Sequence, residues 1–154
     1  MPAGGEGAIT VELQTAGRAG VVTKYAVVHT NDPRQPKIQL TITGSVIPYV
    51  TVKPRRVRIV GVEGQIVSRN VEIIPHKDYP FKILKIESNI DQAVRYCLSD
   101  TADKHGYVLT VENIEGMVGH RAGRIIIETD SEFKPRLTVY VDVNMHRKSM
   151  GEKR

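Results

Sequence analysis

The sequence predicts an all-β, immunoglobulin-like β-sandwich protein, with one complete seven-stranded domain preceded by a partial copy. Three observations carry this reading. Val, Ile and Thr alternate with polar residues at period two through most of the 154 residues, and no stretch shows helical periodicity. Turn residues break the alternation about every ten positions. The chain also repeats itself without a gap at an offset of 99 residues. Val27-Val28-His29-Thr30 and Pro36-Lys37-Ile38-Gln39-Leu40-Thr41-Ile42 return as Ile126-Ile127-Glu128-Thr129 and Pro135-Arg136-Leu137-Thr138-Val139-Tyr140-Val141. Gly17 and Gly20 return as Gly116 and Gly119. A repeat of this length matches one immunoglobulin-like domain of about 100 residues.

In the first copy, Ile9-Thr10-Val11-Glu12-Leu13 alternates as a strand, followed by strands over Val21–Thr30 and Lys37–Val46. Asn31-Asp32-Pro33-Arg34 between them is a turn, because Asn and Asp close local side-chain bonds and Pro presets φ while withholding a donor. Pro48-Tyr49 marks a boundary. Residues 1–48 thus form the C-terminal half of a domain, 49–144 a complete sandwich and 145–154 a basic flexible tail. Seven strands are expected in the second copy, at 50–59, 65–74, 80–87, 93–98, 106–112, 121–129 and 135–143. Pro54 splits the first of them, which fits an edge or a sheet-switching kink. The expected core comprises Val57, Ile59, Val71, Ile73, Phe81, Ile83, Ile86, Leu109, Val111, Ile125, Ile127, Leu137, Val139 and Val141.

Three strands cannot bury both faces of a sheet, and one uncovered apolar face is unstable in water. Residues 8–47 are therefore expected to pack on the second domain, to pair in a homodimer, or to receive strands from sequence upstream. The chain then reads as a fragment of a larger protein.

Composition narrows the remaining classes. The net charge of +5 is unevenly placed: residues 1–48 hold four Lys/Arg against three Asp/Glu, 49–143 fourteen against thirteen, and 144–154 four against one. Most of the excess is therefore a terminal tail, whose polyanion binding would be weak and salt-sensitive. No apolar run approaches the ~18 residues of a membrane-spanning helix, and the N-terminus has no basic and apolar pattern of a signal peptide. The single cysteine, Cys97, has no partner for an internal disulfide and is expected as a small buried hydrophobe within a strand.

Residues Pro2-Ala3-Gly4-Gly5-Glu6-Gly7-Ala8-Ile9-Thr10-Val11, Gly17-Arg18-Ala19-Gly20, Thr30-Asn31-Asp32-Pro33 and Pro36 to Gly44 resemble the back half of a known bacterial module. That module is the domain-of-unknown-function family fifteen-seventy-three, akin to the Hydin-type (ASH) domains and, more distantly, to the major sperm protein fold. Residues 49–143 look like a diverged second copy, opening at Val52-Lys53-Pro54-Arg55-Arg56-Val57. Members typically carry a Cys-Gly-Cys element just ahead of this point, which this sequence lacks. The resemblance implies a β-sandwich, often in exported or envelope-associated bacterial proteins, without established catalysis. It transfers no functional residue.

No motif points to catalysis. Gly4-Gly5-Glu6-Gly7 is followed by a strand pattern, whereas a phosphate loop opens a helix. His29, His76, His105, His120 and His146 are never spaced as ligands on one short element, so no metal site is expected. Ser99, Asp100 and His105 lie in a polar turn with no nucleophile elbow. Lys53, Arg55, Arg56 and Arg58 form the one dense basic patch inside a domain and are the candidate anion contact. Charged edge strands commonly guard against aggregation, and without interleaved aromatics the patch gives little support to nucleic-acid binding. The expectation is a non-catalytic structural or protein-interaction module with no cofactor. The alternative is polyanion binding through the patch and the tail.

Overall fold

The computed structural model describes residues 7–15, 17–103 and 105–148, and among these it contains strands and turns but no helix. The chain divides into two compact units, residues 1–48 and 49–154. The first unit holds a two-stranded antiparallel hairpin of β1 (Gly20–His29) and β2 (Lys37–Val46). The expected strand over Ile9–Leu13 is absent, and those residues form no ladder. Alternation alone does not make a strand, because its backbone groups need a partner edge and none among the described residues pairs with it.

The second unit is a sandwich of two four-stranded sheets. One contains β3 (Val50–Lys53), β5 (Ser68–Pro75), β8 (Tyr107–Asn113) and β7 (Val94–Asp100), in that order. The other runs β4 (Arg56–Val62), β10 (Arg136–His146), β9 (Gly119–Thr129) and β6 (Ile83–Ser88). Apart from its first strand, this is the constant-type immunoglobulin arrangement of four strands against three. The strand expected at 50–59 is two strands in different sheets, β3 on β5 and β4 on β10, which makes eight. Pro54 stands at the crossing, and both halves lie at sheet edges, where a residue without an N–H interrupts no central ladder.

The core lies between the sheets. Along β10 the side chains Leu137, Val139, Val141, Val143 and Met145 alternate inward, each 4% exposed or less. Burial of such a side chain contributes about 1.5–3 kcal/mol. Twelve of the expected core residues are buried, while Ile83 and Ile86 pack against the cluster partly exposed. Their strand, β6, is an edge strand with a register shift between Ile83 and Lys85. Val50, Val52, Ile90, Ala93 and Val94 join the core from strand ends and corners.

Two further expectations are corrected. Cys97 is exposed, because in edge strand β7 its neighbours Tyr96 and Leu98 turn inward and leave Cys97 on the solvent face. The sandwich also reaches past residue 144: β10 continues to His146, and burial of Met145 fastens that end to the core. Of the expected tail, residues 149–154 lie outside the described residues, as does Gly4-Gly5-Glu6 of the glycine-rich N-terminus.

Candidate functional site

The hairpin of the first unit copies β9–β10 residue for residue. Val28 faces Ile38 as Ile127 faces Leu137, Ala26 faces Leu40 as Ile125 faces Val139, and Gly20 faces Val46 as Gly119 faces Met145. The connecting turns agree as closely. Thr30 and Thr129 donate their N–H groups to Pro36 and Pro135, both at 3.0 Å. Their hydroxyls accept from the N–H groups of Asp32 and Ser131, both at 3.2 Å, and donate to the carbonyls of Gln35 and Lys134. The lead-in turns repeat as well, with left-handed φ of 75° at Gly17 and 77° at Gly116.

The surroundings of the two hairpins differ. In the second unit β10 carries β4 along its outer edge in parallel, and β9 carries β6. In the first unit β1 and β2 bond only to each other among the described residues. One hairpin face carries Val22, which is buried at 9% exposure, with Ala26, Val28, Ile38, Leu40 and Ile42 around Lys24, while Val21, Tyr25 and Val27 project from the other. Leu40 and Ile42 are half-buried and Ile38 is 39% exposed, where their counterparts Val139, Val141 and Leu137 are 4% exposed or less. Open edges beside an apolar face can extend a sheet with a strand from elsewhere.

The four basic residues singled out from sequence do not form one patch. Lys53 ends β3, opposite Glu72 of β5, in the other sheet. Arg55 sits at the crossing, where its carbonyl accepts the Tyr140 N–H at 2.9 Å. Only Arg56 and Arg58 share the outer face of the β4–β10–β9–β6 sheet. There they meet two residues distant in sequence. Tyr140, half exposed, stands in register between Arg56 on β4 and Arg124 on β9, with the Arg56 guanidinium 5.7 Å from its ring centre. A guanidinium over a tyrosine face is attracted by the ring quadrupole. On the same face Arg136–Glu128 at 3.1 Å and Lys85–Glu87 are ion pairs, and His120 Nε2 lies 3.3 Å from Asp142 Oδ2. Arg56, Arg58 and Arg124 have no carboxylate within ion-pair distance among the described residues. Sequence reasoning missed Tyr140 and Arg124, because no local pattern announces a parallel pairing between residues 56–62 and 140–146.

At one end of the second unit, Tyr49 stacks on Phe133 with ring centres 4.8 Å apart, and Tyr79 packs edge-on against both. An open cleft of about 610 Å³ lies near it, lined in part by His76, Phe81, Asp100, His105 and Tyr107. Two of its polar side chains are engaged in local structure. His76 Nδ1 accepts the Asp78 N–H at 3.3 Å, and the Tyr107 hydroxyl donates to the Phe81 carbonyl at 2.9 Å. Among the described residues no three His, Cys, Asp or Glu side chains converge as a metal-ligating group.

Neither a family model nor a curated protein matches this chain. Solved structures do. A protein of unknown function from Porphyromonas gingivalis superposes with a TM-score of 0.50 at 12% identity, over 86% of this chain and 69% of that one. The BIgI domain of the beta protein from S. agalactiae, solved bound to CEACAM1, aligns with a TM-score of 0.40 at 11% identity, over 65% of this chain and 97% of that one. Domains 4 and 5 of the S-layer protein SbsC align with a TM-score of 0.39 at 19% identity, covering 84% of this chain and 66% of that one. The likeness to the Porphyromonas gingivalis protein is one of fold alone. The second unit, by its own strand order, has an immunoglobulin-like β-sandwich fold.

Proposed function

We propose that this chain is a non-catalytic protein-interaction module whose first-unit hairpin is completed by strands from another polypeptide. One observation carries the reading: β1–β2 reproduces the register and turns of β9–β10 but, among the described residues, has neither of the flanking strands that β9–β10 has. A pair with the apolar pattern of a sandwich interior is stable in water only when that face is covered. Membership of the resembled bacterial family, with an exported or cell-envelope setting, belongs to the same proposal and is checked by fractionating cells that produce the protein. Hydrogen exchange on the isolated chain tests the central reading. Amides of β2 that bond nothing on β1 should exchange freely while those of β10 stay protected. Equal protection of the two strands would mean that the β2 edge is already closed, and the reading falls.

A second reading, polyanion binding, is favoured by Tyr140 standing between Arg56 and Arg124 beside Arg58. An aromatic among guanidinium groups supplies the stacking surface that single-stranded nucleic acid uses, and the guanidiniums meet its phosphates. Binding of a single-stranded oligonucleotide should weaken steeply with added salt and fall again in Tyr140→Ala. Affinity that is indifferent to both removes this reading.

A further inference from the structure

Resting on the polyanion reading, we infer that the outer face of the β4–β10–β9–β6 sheet binds single-stranded nucleic acid with a preference for guanine. The sugar-phosphate chain follows β4, the base lies on Tyr140, and the far edge of the base meets Arg124. The row Arg56, Tyr140, Arg124 crosses three neighbouring strands in register. Strands lie about 4.8 Å apart, so the row offers a cation, a ring and a second cation over roughly 10 Å. A nucleotide presents its groups in the matching order, from phosphate through the base to the acceptors on the base edge.

Charge decides which strand carries the phosphates. Glu87 on β6 and Glu128 on β9 are paired with Lys85 and Arg136, and Asp142 on β10 lies 3.3 Å from His120. The edge strand β4 contains no acid, and Arg56 and Arg58 both project from its outer face. Two residues along a strand advance about 6.7 Å. That advance matches the step between neighbouring phosphates of an extended single strand. Arg56 is braced on the Tyr140 ring, and one strand inward the ring itself is half exposed, so a base can stack on it. A duplex keeps its bases stacked on one another and offers that ring nothing. The ring set between cations likewise favours a ligand with a flat π-face over a sulfated polysaccharide, which has none. Arg124, one strand further, is exposed. Its planar fork of donors fits the paired O6 and N7 acceptors of guanine, whereas adenine carries an amino donor in place of O6.

The test uses the full chain and short labelled oligo-dT strands with dG, dA or dC at the centre, followed by fluorescence anisotropy. The dG-centred strand should bind about tenfold more tightly than the dA-centred one. With two phosphate contacts, affinity should fall about sevenfold between 50 and 200 mM salt. Arg124→Lys keeps the charge and loses the fork, so it should abolish the dG preference and leave the salt dependence unchanged. Arg58→Ala should weaken every strand alike and about halve the slope of log affinity against log salt. Both side chains are exposed, so urea unfolding of the second unit should be unaffected by either change. A dG preference that is missing, or that survives Arg124→Lys, overturns the inference. So does tighter binding of duplex DNA or of a sulfated polysaccharide at the same salt. Salt-sensitive, Tyr140-dependent binding that ignores the base overturns the guanine assignment and leaves the polyanion reading standing. No binding of any oligonucleotide removes both.

Discussion

The Asn113 side chain bridges to Val67: its Oδ1 accepts the Val67 N–H at 2.7 Å. Its amide nitrogen donates to the Gln65 carbonyl at 2.8 Å. Asn113 is 2% exposed at the end of β8, and its two bonds secure the loop that carries the chain from β4 to β5. Asn113→Ala would leave partly buried backbone groups unpaired, with an expected loss of about 2 kcal/mol. Chemical denaturation should show a lower midpoint with an unchanged slope.

Gly123 has no room for a methyl group against Ile90. Gly123→Ala is expected to destabilise the second unit by about 1–3 kcal/mol through overpacking. Combined with Ile90→Ala, it should cost less than the two single losses added together, because the truncated side chain vacates the clash. Additive losses in the double-mutant cycle would contradict the steric account.

Thr129 is buried, and its hydroxyl both accepts from Ser131 and donates to the Lys134 carbonyl. Thr129→Val keeps the shape and removes both bonds, for an expected loss of about 1–2 kcal/mol. Thr30→Val removes the same bonds from the first-unit turn and should leave the thermal unfolding of residues 49–148 where it is. Calorimetry on the two variants separates the units.

Tyr107 and Tyr96 hold their protons above the ordinary phenol value, in both cases first through burial and then through nearby carboxylates, Asp100 for Tyr107 and Asp91 for Tyr96. A raised folded-state pKa contributes stability that is fully present below the unfolded value of about 10 and is lost as pH rises through the folded value. Stability should therefore fall in the alkaline range. Tyr107→Phe should soften that fall, since it removes the titrating phenol whose hydroxyl donates to the Phe81 carbonyl. At the acidic end, Lys85 holds Glu87 below the ordinary carboxylate value, so the contribution of their exposed pair disappears as pH falls through that lowered pKa.

The mass of the full chain in solution, compared with a version starting at Tyr49, checks the choice of partner. Monomers in both cases would mean that residues 1–48 do not pair between copies of this chain. A dimer that becomes a monomer on loss of residues 1–48 would make the second copy the occupant.

Much of the fold was legible in the sequence because side chains alternate at period two wherever one sheet face is buried. Val139 and Val141 could be read as interior from their neighbours alone, and the echo of Val27–Ile42 at Ile126–Val141 announced a second hairpin before any coordinates. Ile9–Leu13 has the same alternation and is not a strand, since a ladder needs a partner that period two does not supply. Cys97 was misread because an edge strand buries only one of its faces, and the local pattern around Tyr96 and Leu98 does not say which.

The sequence by itself determined an all-β chain with a hundred-residue repeat, its turns and its aliphatic core, all of which follow from local periodicity and turn chemistry. The tertiary structure alone decided that β4 runs parallel on β10, which places Arg56 and Arg124 on either side of Tyr140, and that Lys24 and Gly44 alter the copied hairpin where the second copy is most tightly packed. Those facts depend on which strand lies beside which. That is settled by closing a common core between residues far apart in the chain, so no short stretch of sequence contains it.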